Sequence, residues 1–187
     1  MLLGKTVVLG VTGSIAAWQT PEIIGQLKSL WINVQCIMTR SAAEFITPLM
    51  LQSASQNPVL ISMFKPGQIW TASDTSLADV ADLILIAPAT ANMIGKAANG
   101  IANDPLSATI LAGRIPVVIA PAMNPNMYSK AVTQSNIKKL EMAGFHFVYP
   151  EYGPTACGTE GVGRLARIHV IIKKVTSLLE NENRKRE

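Results

Sequence analysis

Residues 5–11, Lys-Thr-Val-Val-Leu-Gly-Val, form a short apolar run rich in β-branched side chains that stops at Thr12-Gly13-Ser14. Such a run predicts a buried strand, a tight turn and then the start of a helix. Ile23, Ile24, Leu27, Leu30 and Trp31 follow at helical spacing, and residues 33–38 return to the pattern of a strand. Residues 83–87, 116–120 and 146–149 read as three further buried strands, with helix-compatible stretches at 93–99, 105–112 and 131–143. Strands that alternate with helices predict an α/β fold: a doubly wound, Rossmann-like (flavodoxin-like) parallel sheet with helices on both faces, in a single domain. The expected domain spans 1–179, and the charged residues 180–187 are expected to form a disordered tail.

In such sheets ligands bind beyond the carboxyl ends of the strands. That rule directs attention to residues 12–16, 39–41, 88–92 and 121–127, all small or polar. Gly13-Ser14-Ile15-Ala16 can present backbone amides and a hydroxyl to a phosphate, or can simply cap a helix. No Gly-x-Gly-x-x-Gly fingerprint is present, and the second strand ends in Thr39-Arg40-Ser41 rather than in an acid. Donors and a cation suit a phosphate better than a ribose diol, so a mononucleotide fits better than a dinucleotide.

In the loop Pro88-Ala89-Thr90-Ala91-Asn92, a hydroxyl and an amide can meet the polar edge of a flat ring, or Thr90 can cap the next helix. In 121–127, Met123 can lie against an aromatic face and Asn124 can read a carboxylate or amide, although Asn-Pro also starts turns. Cys157 sits among glycines, a poor place to bury an inert thiol, whereas Cys36 lies inside an apolar strand and fits that inert role.

Composition narrows the picture further. With 187 residues, 49% hydrophobic, 15% charged and a mean hydropathy of +0.29, the chain is apolar for a monomer, and oligomerisation is expected. Its apolar runs are far shorter than the ~20 residues that cross a bilayer, and no signal segment opens the chain, so a cytoplasmic, non-membrane protein is expected. The net charge is +4, but Lys173, Lys174 and Arg184 to Arg186 concentrate basic residues near the end, and aromatic residues are only 5%. That pattern fits a solvated tail and no nucleic-acid partner. Two cysteines far apart and two histidines, His146 and His169, make a metal site improbable.

In combination and in order, the phosphate turn, the 88–92 loop, residues 98–104, residues 121–128 and Ala156-Cys157-Gly158 resemble the homo-oligomeric flavin-containing cysteine decarboxylases. The resemblance runs through nearly the whole chain and is nearest to the branch that serves coenzyme A biosynthesis. It implies flavin mononucleotide (FMN) as cofactor, held in a homotrimer or a dodecamer built from trimers. It also implies Gly13, Ser14, Ile15, Thr39 and Ser41 at the phosphate and ribityl chain, and Thr90, Ala91, Asn92, Ser107 and Met123 at the ring. Asn124 and Met127 would meet the substrate, Asn124 through its carboxylate, and Cys157 would donate a proton in the final reduction.

The implied reaction converts 4'-phosphopantothenoyl-L-cysteine to 4'-phosphopantetheine. The family carries a catalytic histidine eight residues before the aspartate that opens the third predicted strand, Asp82, and that position is Asp74 here. Asp74 therefore keeps two alternatives open: a non-catalytic FMN-binding regulatory subunit and a peptidyl-cysteine decarboxylase. Many bacterial members carry a synthetase domain fused behind this one, so a separate phosphopantothenate-cysteine ligase is an expected partner.

Overall fold

A computed structural model describes residues 2–62, 73–156 and 158–186, with the side chains of 73–76 and 182–186 outside the description. The sequence expectations for Cys157 and for the side chain of Asp74 therefore fall outside the described residues. The chain begins with β1 (Thr6–Val11), α1 (Thr20–Ser29), β2 (Asn33–Met38), α2 (Pro48–Ser55) and β3 (Val59–Leu60). It continues through α3 (Ser73–Val80), β4 (Leu83–Ala89), α4 (Ala91–Ala98), α5 (Pro105–Ala112) and β5 (Val117–Pro121). The last elements are α6 (Pro125–Ser129), α7 (Ala131–Met142), β6 (His146–Phe147), β7 (Glu151–Pro154), β8 (Glu160–Arg164) and α8 (Ile168–Arg186).

Six strands form one parallel sheet in the order β3-β2-β1-β4-β5-β6, and β7 and β8 make a separate antiparallel hairpin. The doubly wound fold predicted from the alternating pattern is the one observed. Both faces of the central strands are buried, which explains why they read as continuous apolar runs. Val7, Leu9 and Val11 of β1 join Leu83, Leu85 and Ala87 of β4 on one face, where α1 and α8 cover them. Val8, Ile84 and Ile86 point to the other face, under α4, α5 and α7. Gly10 belongs to that second face: a Cβ there would lie 2.5 Å from Leu106 Cδ1, so only glycine lets α5 approach β1 so closely.

The chain leaves β1 toward β2 and β3, then crosses back to β4 on the opposite side of β1. This reversal opens a crevice at the carboxyl ends of β1 and β4. At their amino ends the two strands are pinned by Asp82, whose carboxylate takes the Lys5 ammonium at 2.9 Å and the Thr6 N–H at 2.9 Å. β4 extends past its predicted end to Ala89, with a register shift after Ile86 and a cis peptide at Ala87–Pro88.

Three further elements depart from the sequence expectation. β3 is only two residues long, and its pairing with Cys36 and Ile37 of β2 is what makes it a strand. The glycine-rich segment, for which no strand is expected, contributes β8 to the β7–β8 hairpin. α8 buries Ile168, Ile171, Ile172, Val175 and Leu179 at helical spacing and continues as helix to Arg186, across the boundary expected at 179/180.

α1 ends on an unusual residue. Trp31 takes a φ of 62° with its indole 74% exposed, while its N–H donates to the Lys28 carbonyl and that of Ile32 to the Leu27 carbonyl. This left-handed position favours glycine and costs other residues about 1 kcal/mol. Trp31→Gly is expected to raise the unfolding free energy by about that amount in urea titration, whereas Trp31→Ala, which keeps the penalty, is expected to leave it near wild type.

Candidate functional site

The sheet's carboxyl edge gathers four loops. After β1, Ser14 caps a 3-10 turn, Ile15–Gln19, by accepting from the Ala16 N–H at 3.4 Å, and the turn runs straight into α1. After β2, Thr39 caps a second such turn, Arg40–Glu44, through the Ala42 N–H, and its hydroxyl lies 3.2 Å from that of Ser41. The two turns touch: a Cβ on Gly13 would sit 2.5 Å from Ser41 Oγ. Gly13 and Ser41 are thus in contact, with Thr39 beside Ser41 and with Ser14 and Ile15 next along the first turn, so the amino ends of the two turns lie side by side. This arrangement can hold a phosphate. Thr20 Oγ1, fully buried in the first turn of α1, has no hydrogen-bond partner among the described residues.

The loop after β4 adjoins this cradle. Thr12, just beyond β1, donates its hydroxyl to the Pro88 carbonyl at 2.7 Å and accepts the Thr90 N–H at 2.9 Å. Thr90 in turn caps α4 through the Met93 N–H at 3.4 Å, so the capping role weighed for it is realised. Ala91 and Asn92 occupy the first turn of α4, with Asn92 exposed. Thr12 falls within the 12–16 segment singled out from sequence but is given no role of its own there. Its signal was present nonetheless, since it is a polar residue placed directly after a buried strand.

The loop after β5 is fastened on two sides. Ala122 N–H donates to the Ala89 carbonyl at 3.0 Å, and Met123 N–H to the Gly163 carbonyl at 3.0 Å. Asn124 caps α6: its Oδ1 accepts the Asn126 N–H at 2.8 Å, and its Nδ2 reaches Thr159 Oγ1 at 3.4 Å. The β7–β8 hairpin therefore folds over Asn124, and its turn is closed by Thr155, which donates both its N–H and its hydroxyl to the Thr159 carbonyl. Close approach requires glycine here, because a Cβ on Gly163 would collide with the Met123 carbonyl and one on Gly161 would lie 2.8 Å from Pro125 Cβ. Thr159, Gly161 and Gly163 position Asn124 and Met123, and only the tertiary docking reveals it. Met127 is half exposed on α6.

Ser107 is buried, and its hydroxyl forms a capping box with Asp104: it accepts the Asp104 N–H at 3.2 Å, while the Asp104 carboxylate accepts the Ser107 N–H at 2.9 Å. Lys96 of α4 pairs with the same carboxylate at 2.5 Å, tying α4 to α5. Burial raises the Asp104 pKa, but the hydrogen bonds from Lys96 and the Ser107 N–H outweigh it, and the group lies below its ordinary 3.8. Burial pushes the Cys36 thiol up to about 11, against a smaller lowering by Ser55, so it stays protonated and inert as expected. Among the described residues no cluster of His, Cys, Asp or Glu is placed to hold a metal ion, and no helix is long and apolar enough to cross a membrane.

A glycine-gated phosphate cradle at the switch point, with two polar loops beside it, is the architecture of a nucleotide-binding α/β protein. The chain belongs to the Flavoprotein family, whose sequence profile matches residues 1–180. It is 44% identical over 173 residues to the coenzyme A biosynthesis bifunctional protein CoaBC of Bacillus subtilis (strain 168), covering 92% of this chain and 43% of that protein. Against CoaBC of Escherichia coli (strain K12) it is 43% identical over 164 residues, covering 88% and 40%. The chain thus spans about two fifths of the length of these curated relatives.

Among solved structures, a PPC decarboxylase variant complexed with pantothenoylaminoethenethiol superposes with a TM-score of 0.82 at 27% identity, covering 94% of this chain and 98% of that one. The FMN-dependent cysteine decarboxylase SpaF gives 0.82 at 29% identity, covering 97% and 98%. The FMN binding protein AtHal3 gives 0.80 at 27%, covering 95% and 98%. The family resemblance drawn from the motifs is borne out.

The geometry generates two predictions. Since the Asp104 pKa is lowered in the folded chain, its stabilising contribution is complete above the unfolded carboxylate range and fades as pH falls through the lower folded value. Asp104→Asn is accordingly expected to be less stable than wild type at neutral pH, with the gap closing below about pH 4 in thermal melts. Gly163→Ala is expected to lift the hairpin from the β5 loop: tryptic cleavage after Arg164 accelerates, while the urea midpoint of the sheet changes little.

Proposed function

We propose that the chain is an FMN-dependent decarboxylase that converts 4'-phosphopantothenoyl-L-cysteine to 4'-phosphopantetheine in coenzyme A biosynthesis. The observation that carries this reading is the contact of Gly13 with Ser41, which shapes a phosphate cradle at the switch point of a chain related to CoaBC along 92% of its length. Ser14, Thr39 and Ser41 supply hydroxyls to the phosphate and ribityl chain, with the backbone of Gly13 and Ile15. Thr90, Ala91 and Asn92 would hold the ring's polar edge and Met123 its apolar face, and Ser107, assigned to the same region by the resemblance, caps α5.

When bound, FMN supplies the two-electron oxidation of the substrate's cysteinyl group that weakens its carbon–carboxylate bond, and returns the electrons once carbon dioxide has left. The residues of the chain do the remaining work. Asn124 has its Oδ1 committed to the Asn126 N–H, so its Nδ2 is held in a fixed direction as a donor for the substrate carboxylate. Met127 contributes an apolar contact on the same loop, and Cys157 delivers the proton that completes reduction of the product. Asp74 occupies the position of the family's histidine. Its reference pKa of about 3.9, against about 6.5 for histidine, makes it a weaker base unless its surroundings raise it.

That aspartate favours a second reading, a non-catalytic FMN-binding subunit that regulates a catalytic relative. The assembly we infer is a homotrimer or a dodecamer of trimers in the cytoplasm, with a phosphopantothenate-cysteine ligase as functional partner. The exposure of Ile15, Trp18, Phe45, Leu49 and Met50 around the two cradle turns supports oligomerisation, because a monomer leaves this apolar surface in water.

The test is carbon dioxide release from phosphopantothenoylcysteine by the FMN-loaded protein. Release of carbon dioxide with formation of 4'-phosphopantetheine by wild type, with Cys157→Ser still releasing carbon dioxide but halting at the unreduced product, supports the enzyme. A yellow but inert protein that gains turnover on Asp74→His selects the regulatory subunit. Turnover only with peptides ending in cysteine selects a peptidyl-cysteine decarboxylase, and a protein that takes up no FMN overturns all three.

A further inference from the structure

The residue pairing of β1 with β4 runs to Gly10 with Ile86, and beyond Ile86 β4 also shifts register against β5. The two strands lead directly into the phosphate turn and the ring-edge loop, the parts whose spacing decides whether one nucleotide spans both. Beyond that pair Thr12 joins them: a last backbone bond runs from its N–H to the Pro88 carbonyl at 3.3 Å, and its hydroxyl donates to the same carbonyl at 2.7 Å and accepts the Thr90 N–H at 2.9 Å.

A hydroxyl is the smallest side-chain group that donates and accepts at once, so it reinforces a ladder whose last backbone bond is a long one. The β-methyl of threonine restricts the rotamer, and at 1% exposure little water is available to replace either bond. On the next residues the same strand end turns through Gly13 against Ser41, and Thr90 caps the helix that carries Ala91 and Asn92. A change at Thr12 therefore alters the distance between the two halves of the site without removing any group from either.

We propose that Thr12 is a positioning residue that sets the spacing between the phosphate cradle and the ring-edge loop, and through it the affinity and electronic environment of the bound flavin. The proposal rests on the FMN reading given above. Thr12 itself makes no contact with the ring in this scheme; it acts through Pro88 and Thr90.

The experiment compares wild type, Thr12→Val and Thr12→Ser in two measurements. In the protein prepared without flavin, hydrogen exchange at the Thr90 amide is expected to accelerate about tenfold in Thr12→Val and to stay near wild type in Thr12→Ser, which keeps donor and acceptor. In FMN titrations, Thr12→Val is expected to weaken binding about tenfold and to shift the visible flavin band of the complex, with Thr12→Ser restoring both. Ser14→Ala, which removes a cradle group alone, is expected to weaken binding with an unshifted band. Wild-type affinity and spectrum in Thr12→Val overturn the positioning role while leaving the FMN reading intact, and wild type that binds no FMN overturns both. Should Thr12→Val fail to fold, Thr12→Cys, a poorer donor and acceptor, carries the same comparison, and a wild-type result there overturns the proposal.

Discussion

Two side chains reinforce the parallel ladder between β1 and β4 at its opposite ends, each beside a single backbone hydrogen bond. Asp82 fastens the amino ends through Lys5 and the Thr6 N–H, and Thr12 fastens the carboxyl ends through Pro88 and Thr90. Between them the strands are buried on both faces and carry no functional polar group. The site exists because the chain changes direction at this pair and leaves a crevice there. Thr12 ties the turn after β1 to the loop after β4, so the two form one surface.

The outer half of the site depends on a different device. The loop after β5 carries Met123 and Asn124, and it is steadied by the β7–β8 hairpin, which is not part of the main sheet. Gly161 and Gly163 allow the hairpin backbone to lie directly on Met123 and Pro125, where any side chain would intrude. The hairpin is thus held on this loop by close backbone contact and a few hydrogen bonds.

Helices α4 and α5 close the second face, tied by Lys96 and Asp104 and packed over Gly10 through Leu106. Ser107 commits its hydroxyl to helix capping, accepting the Asp104 N–H and donating to the Asp104 carbonyl. A capping box satisfies amide groups that burial would otherwise leave unpaired.

The sequence by itself determined the strands that are buried on both faces, the helices α4, α5 and α7, and the four loops where ligand chemistry gathers, because apolar periodicity and a polar residue after a strand are local signals. It also carried the family, since the loops recur in a specific order. It did not make β3 visible, because two residues become a strand only through β2. The hairpin was likewise hidden, as its glycines look like slack until Met123 and Pro125 are seen against them, and α8 was read for its basic residues rather than for its buried Ile171 and Val175. The tertiary structure alone decided that Gly13 meets Ser41, that Thr12 spans to Pro88 and Thr90, and that Thr159 reaches Asn124. Each of those contacts joins residues far apart along the chain or on separate loops, and such proximity is set by packing rather than by any pattern within one segment.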